Sequence, residues 1–360
     1  MPEIIAFYLP QYHPTPHNNE WWGEGFTEWT NVAKAKPLYP GHYQPKVPAD
    51  LGFYDLRYPE IRQKQVELAK EAGVTGFCYY HYWFGNGHEE LELPFNEVVR
   101  LGKPDFPFCL CWANETWSKK FWNPDGAVVE KKDLAIQRYL GEEDDIKHFN
   151  RLLPAFKDKR YIRVDGKLLF MIYRPLAFEE AGRFIALWNK LAKENDLEGF
   201  HFVGYTISPD DEYSSIKDLG FDAVASCRLD RNTKRTVGWA FRKALSVLLH
   251  TPRRTDYRKL RKNLVKELEY KEDVYPTMIP NWDHTPRSGA NGDLFTHATP
   301  EAFELHAKDV LTRQRDKSES HQICFLKSWN EWGEGNYMEP DLKFGKGFIE
   351  ALHKALGNQE

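Results

Sequence analysis

The sequence has no apolar run approaching the roughly 20 residues of a membrane span, no Gly/Ser linker, no internal repeat and no Gly-rich phosphate loop of the G-x-G-x-x-G or Walker type. Its first residues, MPEIIAFYLPQYH, lack a basic start, and Pro10 and Gln11 interrupt the apolar run before it reaches signal-peptide length, so a cytoplasmic location is expected. Cysteine is scarce and odd in number: five in 360 residues, which does not suggest a disulfide framework. Cys78, Cys109, Cys111 and Cys324 lie in apolar stretches and are expected to be buried free thiols. The C-L-C spacing is wrong for a zinc ribbon and no H-E-x-x-H pattern occurs, so neither metal nor cofactor is expected. An excess of positive charge is missing as well. A net charge of −4 does not point to nucleic acid.

What is present is a strand and helix rhythm. Eight short apolar runs, rich in β-branched and aromatic residues, occupy 3–10, 75–83, 107–115, 167–175, 200–208, 222–230, 274–283 and 321–331. Several are apolar nearly throughout, as parallel strands covered on both faces should be. Amphipathic segments at 59–72, 177–194, 300–315 and 346–356 read as helices, the first stopping before Gly73. The alternation predicts an α/β fold, a (β/α)8 barrel in a single domain over 1–360. Residues 11–58 make a connection far longer than the roughly 2–6 residues of a usual βα loop. Residues 235–272 read as a helical insertion with Tyr257, Leu260, Leu264 and Leu268 on one stripe among many basic residues. That stripe fits either a helix packed on the barrel wall or an interfacial helix touching the lipid of a lipid-linked glycan.

Aromatic residues make up 15% of the chain, with twelve tryptophans. Ten of the twelve fall where the predicted strands end or just beyond: Trp21, Trp22, Trp29, Trp83, Trp112, Trp117, Trp122, Trp282, Trp329 and Trp332. Barrel enzymes build their active sites at that end. Indole walls suit a pyranose ring, with flat C–H faces and a polar rim. Polar residues gather there too, and the candidate substrate-binding set is Tyr8, His13, Trp22, Glu28, Trp29, Tyr80, His81, Trp83, Trp112, Asn114, Glu115, Arg174, Trp282, Asp283, Trp329 and Trp332.

The stretch SWNEWGEG places Glu331 at the end of the eighth strand and Glu334 three residues on. Glycines at 333 and 335 let the backbone bend and leave space for a ligand. Glycoside hydrolysis needs one protonated carboxylic acid and one carboxylate. Indole burial and mutual repulsion would split the protonation of such a pair, without saying which member is the acid.

The stretches FYLPQYHP, WWGEGFTEWTNV, GHYQPKVPADLGFYDL, GFCYYHYWF, DFPFCLCWANETW, IYRP, NWDHTPR and SWNEWGEG resemble, in order, the WbsX family of bacterial polysaccharide-locus proteins, which is related to glycoside hydrolase family 99. The resemblance runs from residue 4 to about residue 340. It implies a (β/α)8 barrel and a metal-free retaining site like that of family 99 endo-α-mannosidases. It also implies that Glu331 deprotonates the sugar's own 2-hydroxyl, giving a 1,2-anhydro sugar, while Glu334 protonates the departing oxygen and later activates water. That chemistry requires an α-linked manno-configured sugar, mannose or rhamnose, and an oligosaccharide or polysaccharide partner. Two other readings stay open: a glycosyltransferase of O-antigen or polysaccharide biosynthesis, and a non-catalytic glycan-binding protein.

Overall fold

The computed structural model describes residues 2–122, 128–229 and 251–357. Eight strands, β1 (Glu3–Tyr8), β2 (Gly76–Trp83), β3 (Phe108–Trp112), β4 (Lys167–Ile172), β5 (Phe200–Thr206), β6 (Ala223–Ser226), β7 (Val274–Met278) and β8 (Ile323–Leu326), run parallel. Each pairs with its sequence neighbours, and β1 closes the ring by pairing with both β2 and β8, Ile5 lying opposite Gly76 on one side and Phe325 on the other. Helices Pro59–Ala72, Leu93–Leu101, Glu142–Phe156, Ala181–Glu194, Pro209–Asp218, Pro300–Thr312 and Gly347–Gly357 pack around it, so the expected (β/α)8 barrel is the fold. Among the described residues no helix is long and apolar enough to cross a membrane.

Strand alternation decides what each side chain does. On the inner face Phe7 stacks on Tyr80 and on Phe325, each at 5.4 Å between centroids, with Tyr205 edge-on at 5.8 Å. All five cysteines are buried and free, as expected, with Cys78 against Cys109 and Cys111. The residues of opposite parity face the helices. Tyr8 donates its hydroxyl to Gln65 of the Pro59–Ala72 helix at 2.7 Å. His148 of the Glu142–Phe156 helix stacks on Trp83 at 4.7 Å and meets His81 Nε2 at 2.8 Å, while Trp112 donates its indole N–H to Trp83 O and packs on Phe184. Burial pushes His81 down to about 3 and holds His148 well below the ordinary imidazole range, so this histidine pair is uncharged. Tyr8, His81, Trp83 and Trp112 were expected to bind substrate. They are instead the packing between the barrel and its helices, where each buried aromatic contributes about 1.5–3 kcal/mol.

The insertion also differs from expectation. Residues 235–250 lie outside the described part. Beyond them the chain is broken, not one helix: strand Arg253–Asp256 pairs with Asp293–Thr296, followed by the turns Tyr257–Leu260, Arg261–Asn263 and Glu267–Tyr270. Tyr257 and Leu264 are buried, and the Tyr257 hydroxyl donates to Ile279 O. Leu260 and Leu268, the other two residues of the expected stripe, are partly buried.

Candidate active site

β8 ends at Leu326, and the chain then makes a tight hairpin in which Asn330–Glu331 pairs with Asn336–Tyr337 around the turn Trp332–Glu334. Ser328 organises it, its hydroxyl receiving the Glu331 N–H at 2.9 Å and donating to Asn336 O at 2.7 Å. The Asn330 amide grips both backbone groups of Leu9, at 2.8 and 3.0 Å, which ties the hairpin to the end of β1. Trp332 stacks on Tyr337 at 3.7 Å and donates to Glu339 at 2.7 Å; Trp29 packs against it and donates to Tyr54 O. Trp29, Trp329 and Trp332 are therefore a buried backing for the turn and not a wall facing a ligand.

The two expected carboxylates meet. Glu331 and Glu334 lie within hydrogen-bonding reach of each other, and Nη1 of Arg287 stands 2.6 Å from Glu334 Oε1 and 3.6 Å from Glu331 Oε1. The same guanidinium donates through Nε to Glu28 at 2.9 Å, so a residue from the long loop after β1 joins the group. His284 Nε2 is 3.5 Å from Glu334. Below them Lys327, 3% exposed, donates to the Tyr80 hydroxyl at 2.9 Å and lies 3.6 Å from Glu331 Oε2. The rings of Phe7, Tyr80, Tyr173 and Tyr205 surround its ammonium at 5.6 to 5.9 Å, a cation–π cage closing the barrel floor.

These contacts separate the two carboxyl groups electrostatically. Burial, and then the charge of Glu334, push Glu331 up to about 7, against the pull of Lys327 and Arg287. Burial acts on Glu334 in the same upward sense, but Arg287 and then His284 outweigh it and hold this carboxyl far below the usual carboxylate range. A proton shared by the pair is thus favoured on Glu331. Three carboxylates facing one arginine and one lysine carry one uncompensated charge, and a single proton on the pair removes it.

The two glycines have distinct tasks. Gly335 sits at φ 65°, in the left-handed region that suits glycine, and closes the turn. Gly333 makes room for protein, not ligand: a Cβ there would collide with the Glu28 carboxylate and lie 3.1 Å from Arg287 Nε. Gly333→Ala is expected to separate Glu28 from Arg287 and to cost about 1–3 kcal/mol by overpacking, read as a lower midpoint in denaturant unfolding.

Other expected site residues are more distant or have structural work. Asp283 accepts from His42, Gln44 and Thr285; burial would raise it, but His42, Lys46 and Thr285 hold it at about 2, fixing the turn that carries His284 and Arg287. Trp282 stacks with His284. Asn114 bonds both backbone groups of Arg174, joining the loops after β3 and β4, and the Glu115–Arg174 ion pair at 3.0 Å is half-exposed. His13 is buried on Pro10 O. Trp22 is exposed and stacks on Phe26. The Trp122 side chain and Trp239 lie outside the described part. Sequence reasoning did not single out Arg287, Tyr173 or Tyr205. Lys327 carried a signal, a charge at the end of the apolar run ICFL.

Residues 4–352 match the family described as "Glycosyltransferase WbsX". Two proteins described as "Uncharacterized protein WxcX", from two strains of Xanthomonas campestris pv. campestris, are each 35% identical over 356 residues. The chain spans about half the length of these relatives, 49% of each. Among solved structures, the family 99 endo-α-mannosidase of Bacteroides thetaiotaomicron superposes with a TM-score of 0.59 at 16% identity, covering 99% of this chain and 98% of that one. Its complex with bis-tris-propane gives 0.57, again at 16% identity, covering 98% of this chain and 95% of that one. A protein described as "Glycoside hydrolase-like protein" gives 0.59 at 14% identity, covering 98% and 93%. At such identities these structures share the barrel fold, a glycosidase-like one. A match over residues 4–352 together with relatives 35% identical along 98% of its length shows that the chain belongs to the WbsX family.

Proposed function

We propose that this chain is a retaining glycoside hydrolase or transglycosidase that acts on an α-linked, manno-configured bacterial glycan, with Glu331 and Glu334 as its catalytic pair. The observation that carries the reading is the placement of these two carboxyl groups in mutual contact beyond β8, with opposed electrostatic environments. Such a pair holds one proton at neutral pH, as acid and base chemistry at a glycosidic bond requires. Their closeness leaves no room for the water that an inverting pair, about 6.5–9.5 Å apart, holds between its members. Participation of the sugar's 2-hydroxyl fits a base beside the ring and needs no separate nucleophile.

The resemblance gives the base role to Glu331, whereas the electrostatics of the protein alone favour the proton on that residue. Sugar binding must then move the proton to Glu334, a transfer across the contact the two groups already share. In the productive state Glu331 takes the proton of the 2-hydroxyl as that oxygen closes on the anomeric carbon, and Glu334 delivers its proton to the departing oxygen. Water, deprotonated by Glu334, then opens the 1,2-anhydro sugar while Glu331 returns its proton to the 2-hydroxyl.

The test is incubation of the native protein with α-mannan and α-rhamnan oligosaccharides, with the product anomer followed by proton NMR. The α-anomer is expected first. A first-formed β-anomer overturns retention. Transfer from a nucleotide sugar, with no cleavage of any glycan, replaces the hydrolase reading by the activity that the family description names.

A further inference from the structure

Outside this site, His17, His88 and Glu90 form a second cluster, their ligand atoms all within 4.8 Å of one another. His17 Nδ1 and His88 Nε2 both point at one oxygen, Glu90 Oε1, at 2.5 and 2.7 Å. The three side chains come from different parts of the barrel mouth. His17 lies on the helix Pro16–Trp22, whose start is fixed by the Thr15 hydroxyl accepting from Asn18 N. His88 and Glu90 lie two residues apart on the return of the hairpin that pairs Trp83 with Glu89 and Tyr82 with Glu90. Left-handed backbone at Asn86 and Gly87 turns that hairpin.

Glu90 is 4% exposed, and the only ion pairs it forms among the described residues are with these two imidazoles. His17 and His88 reach solvent on their other side, with 50% and 39% of their side-chain surfaces exposed. Aromatic rings fix both: His17 stacks on Trp21 at 5.4 Å and meets His88 edge-on at 5.6 Å, and His88 packs on Phe84 at 5.2 Å. Two imidazole nitrogens and a carboxylate oxygen converge, with an open side toward water.

We propose that His17, His88 and Glu90 bind a divalent transition ion, zinc by the chemistry of the donor set, which clasps the long loop after β1 to the hairpin after β2. Two histidines and one glutamate are a recognised tetrahedral zinc set when a water takes the fourth position. Binding requires the donor atoms to part from hydrogen-bonding distance to about 3.3 Å, the edge of a tetrahedron with bonds of about 2.0–2.1 Å. Rotation of the two exposed imidazoles supplies that change. The clasp lies away from Glu331 and Glu334 but touches the rim: Trp21 meets Trp117 edge-on, and Trp117 packs on Tyr82. Its task is to order the loop that delivers Glu28.

The 360-residue chain, treated with chelator and titrated with zinc in a calorimeter, should bind one equivalent. Cobalt(II) should give the visible absorption of a four-coordinate ion. His17→Ala and His88→Ala should each weaken binding at least tenfold, and Glu331→Gln should leave it unchanged. His17 is exposed enough for its alanine variant to fold, and circular dichroism checks this. No zinc binding, or binding that survives both histidine substitutions, overturns the proposal and leaves only a hydrogen-bonded clasp.

Discussion

Glu331→Gln is expected to lower turnover by about 10²–10⁴-fold, and Glu334→Gln by a similar factor, the usual cost of removing one member of an acid–base pair. Glutamine keeps the shape of either side chain, so a loss beyond small changes in stability reports chemistry. The two variants should part company on the leaving group. A nitrophenyl glycoside departs without a proton, so the variant lacking the acid should regain the first step on it, read as a burst of nitrophenol, while the water step that also uses this residue stays slow. The variant lacking the base should not. With Glu334 as acid, rescue is expected in Glu334→Gln alone; rescue in Glu331→Gln alone would exchange the roles.

The pH profile gives an independent reading. Catalysis needs one proton on the pair, and the two groups titrate as a unit. Because the last proton leaves near pH 7, kcat/KM should fall as pH rises through about 7, whichever residue acts as acid. The second proton binds only far below the ordinary carboxylate range, since Arg287 and His284 hold Glu334 ionised. No comparable loss is therefore expected between about pH 5 and 6. A profile rising through pH 7 contradicts a shared proton.

Lys327→Met should be the most destabilising single change near the site. It removes a buried cation whose charge stays fixed because Glu331, Tyr205, Tyr173 and Glu334 together more than offset the cost of burial. Deleting one member of a buried pair costs about 3–5 kcal/mol when the remaining member stays charged, which here holds once Glu331 loses its proton in alkaline solution. Urea unfolding should show that loss. Adding Glu331→Gln to Lys327→Met removes that charge and should recover part of the loss in alkaline solution. If the double variant is as unstable as the two single losses added together, the lysine acts through packing in its ring of aromatics and not through charge. At intermediate pH a second consequence follows: without Lys327 the Glu331 carboxyl should hold its proton to higher pH, moving the alkaline fall of any residual activity upward.

The barrel was legible because its strands are nearly continuous apolar runs punctuated by turns. Each of the eight expected runs contains one strand of the barrel, although most run too far at their C-terminal ends. The expected run 107–115, for example, stops pairing at Trp112, where Asn114 begins to bridge loops. The meeting of Glu331 and Glu334 beyond the last strand was legible too. Which face a residue takes was not. His81 and Trp83 differ from Tyr80 and Tyr82 only by one step of alternation, and a strand apolar on both sides gives no pattern from which to read parity. A chain reader therefore sees a crowd of tryptophans at the mouth. The fold sends several of them outward under the helices and leaves tyrosines around the lysine.

Arg287 illustrates a different loss of information. Nothing in TPRS marks it, because its importance comes from reaching, within one guanidinium, acids that stand 259 and 47 residues away in sequence. Glu331 and Glu334 were visible since they lie three apart. The group that sets their protonation was assembled only by folding.

Since Glu28 enters on the first excursion of the chain and Arg287 on one of the last, the finished charge balance exists only once the two ends of the polypeptide have come together. β1 is also the strand that seals the ring. A half-assembled barrel would already possess both glutamates, yet with the arginine freed from its third acid they would titrate differently from those of the mature protein. Closure of the ring through β1 thus brings together the charges that surround Glu331 and Glu334.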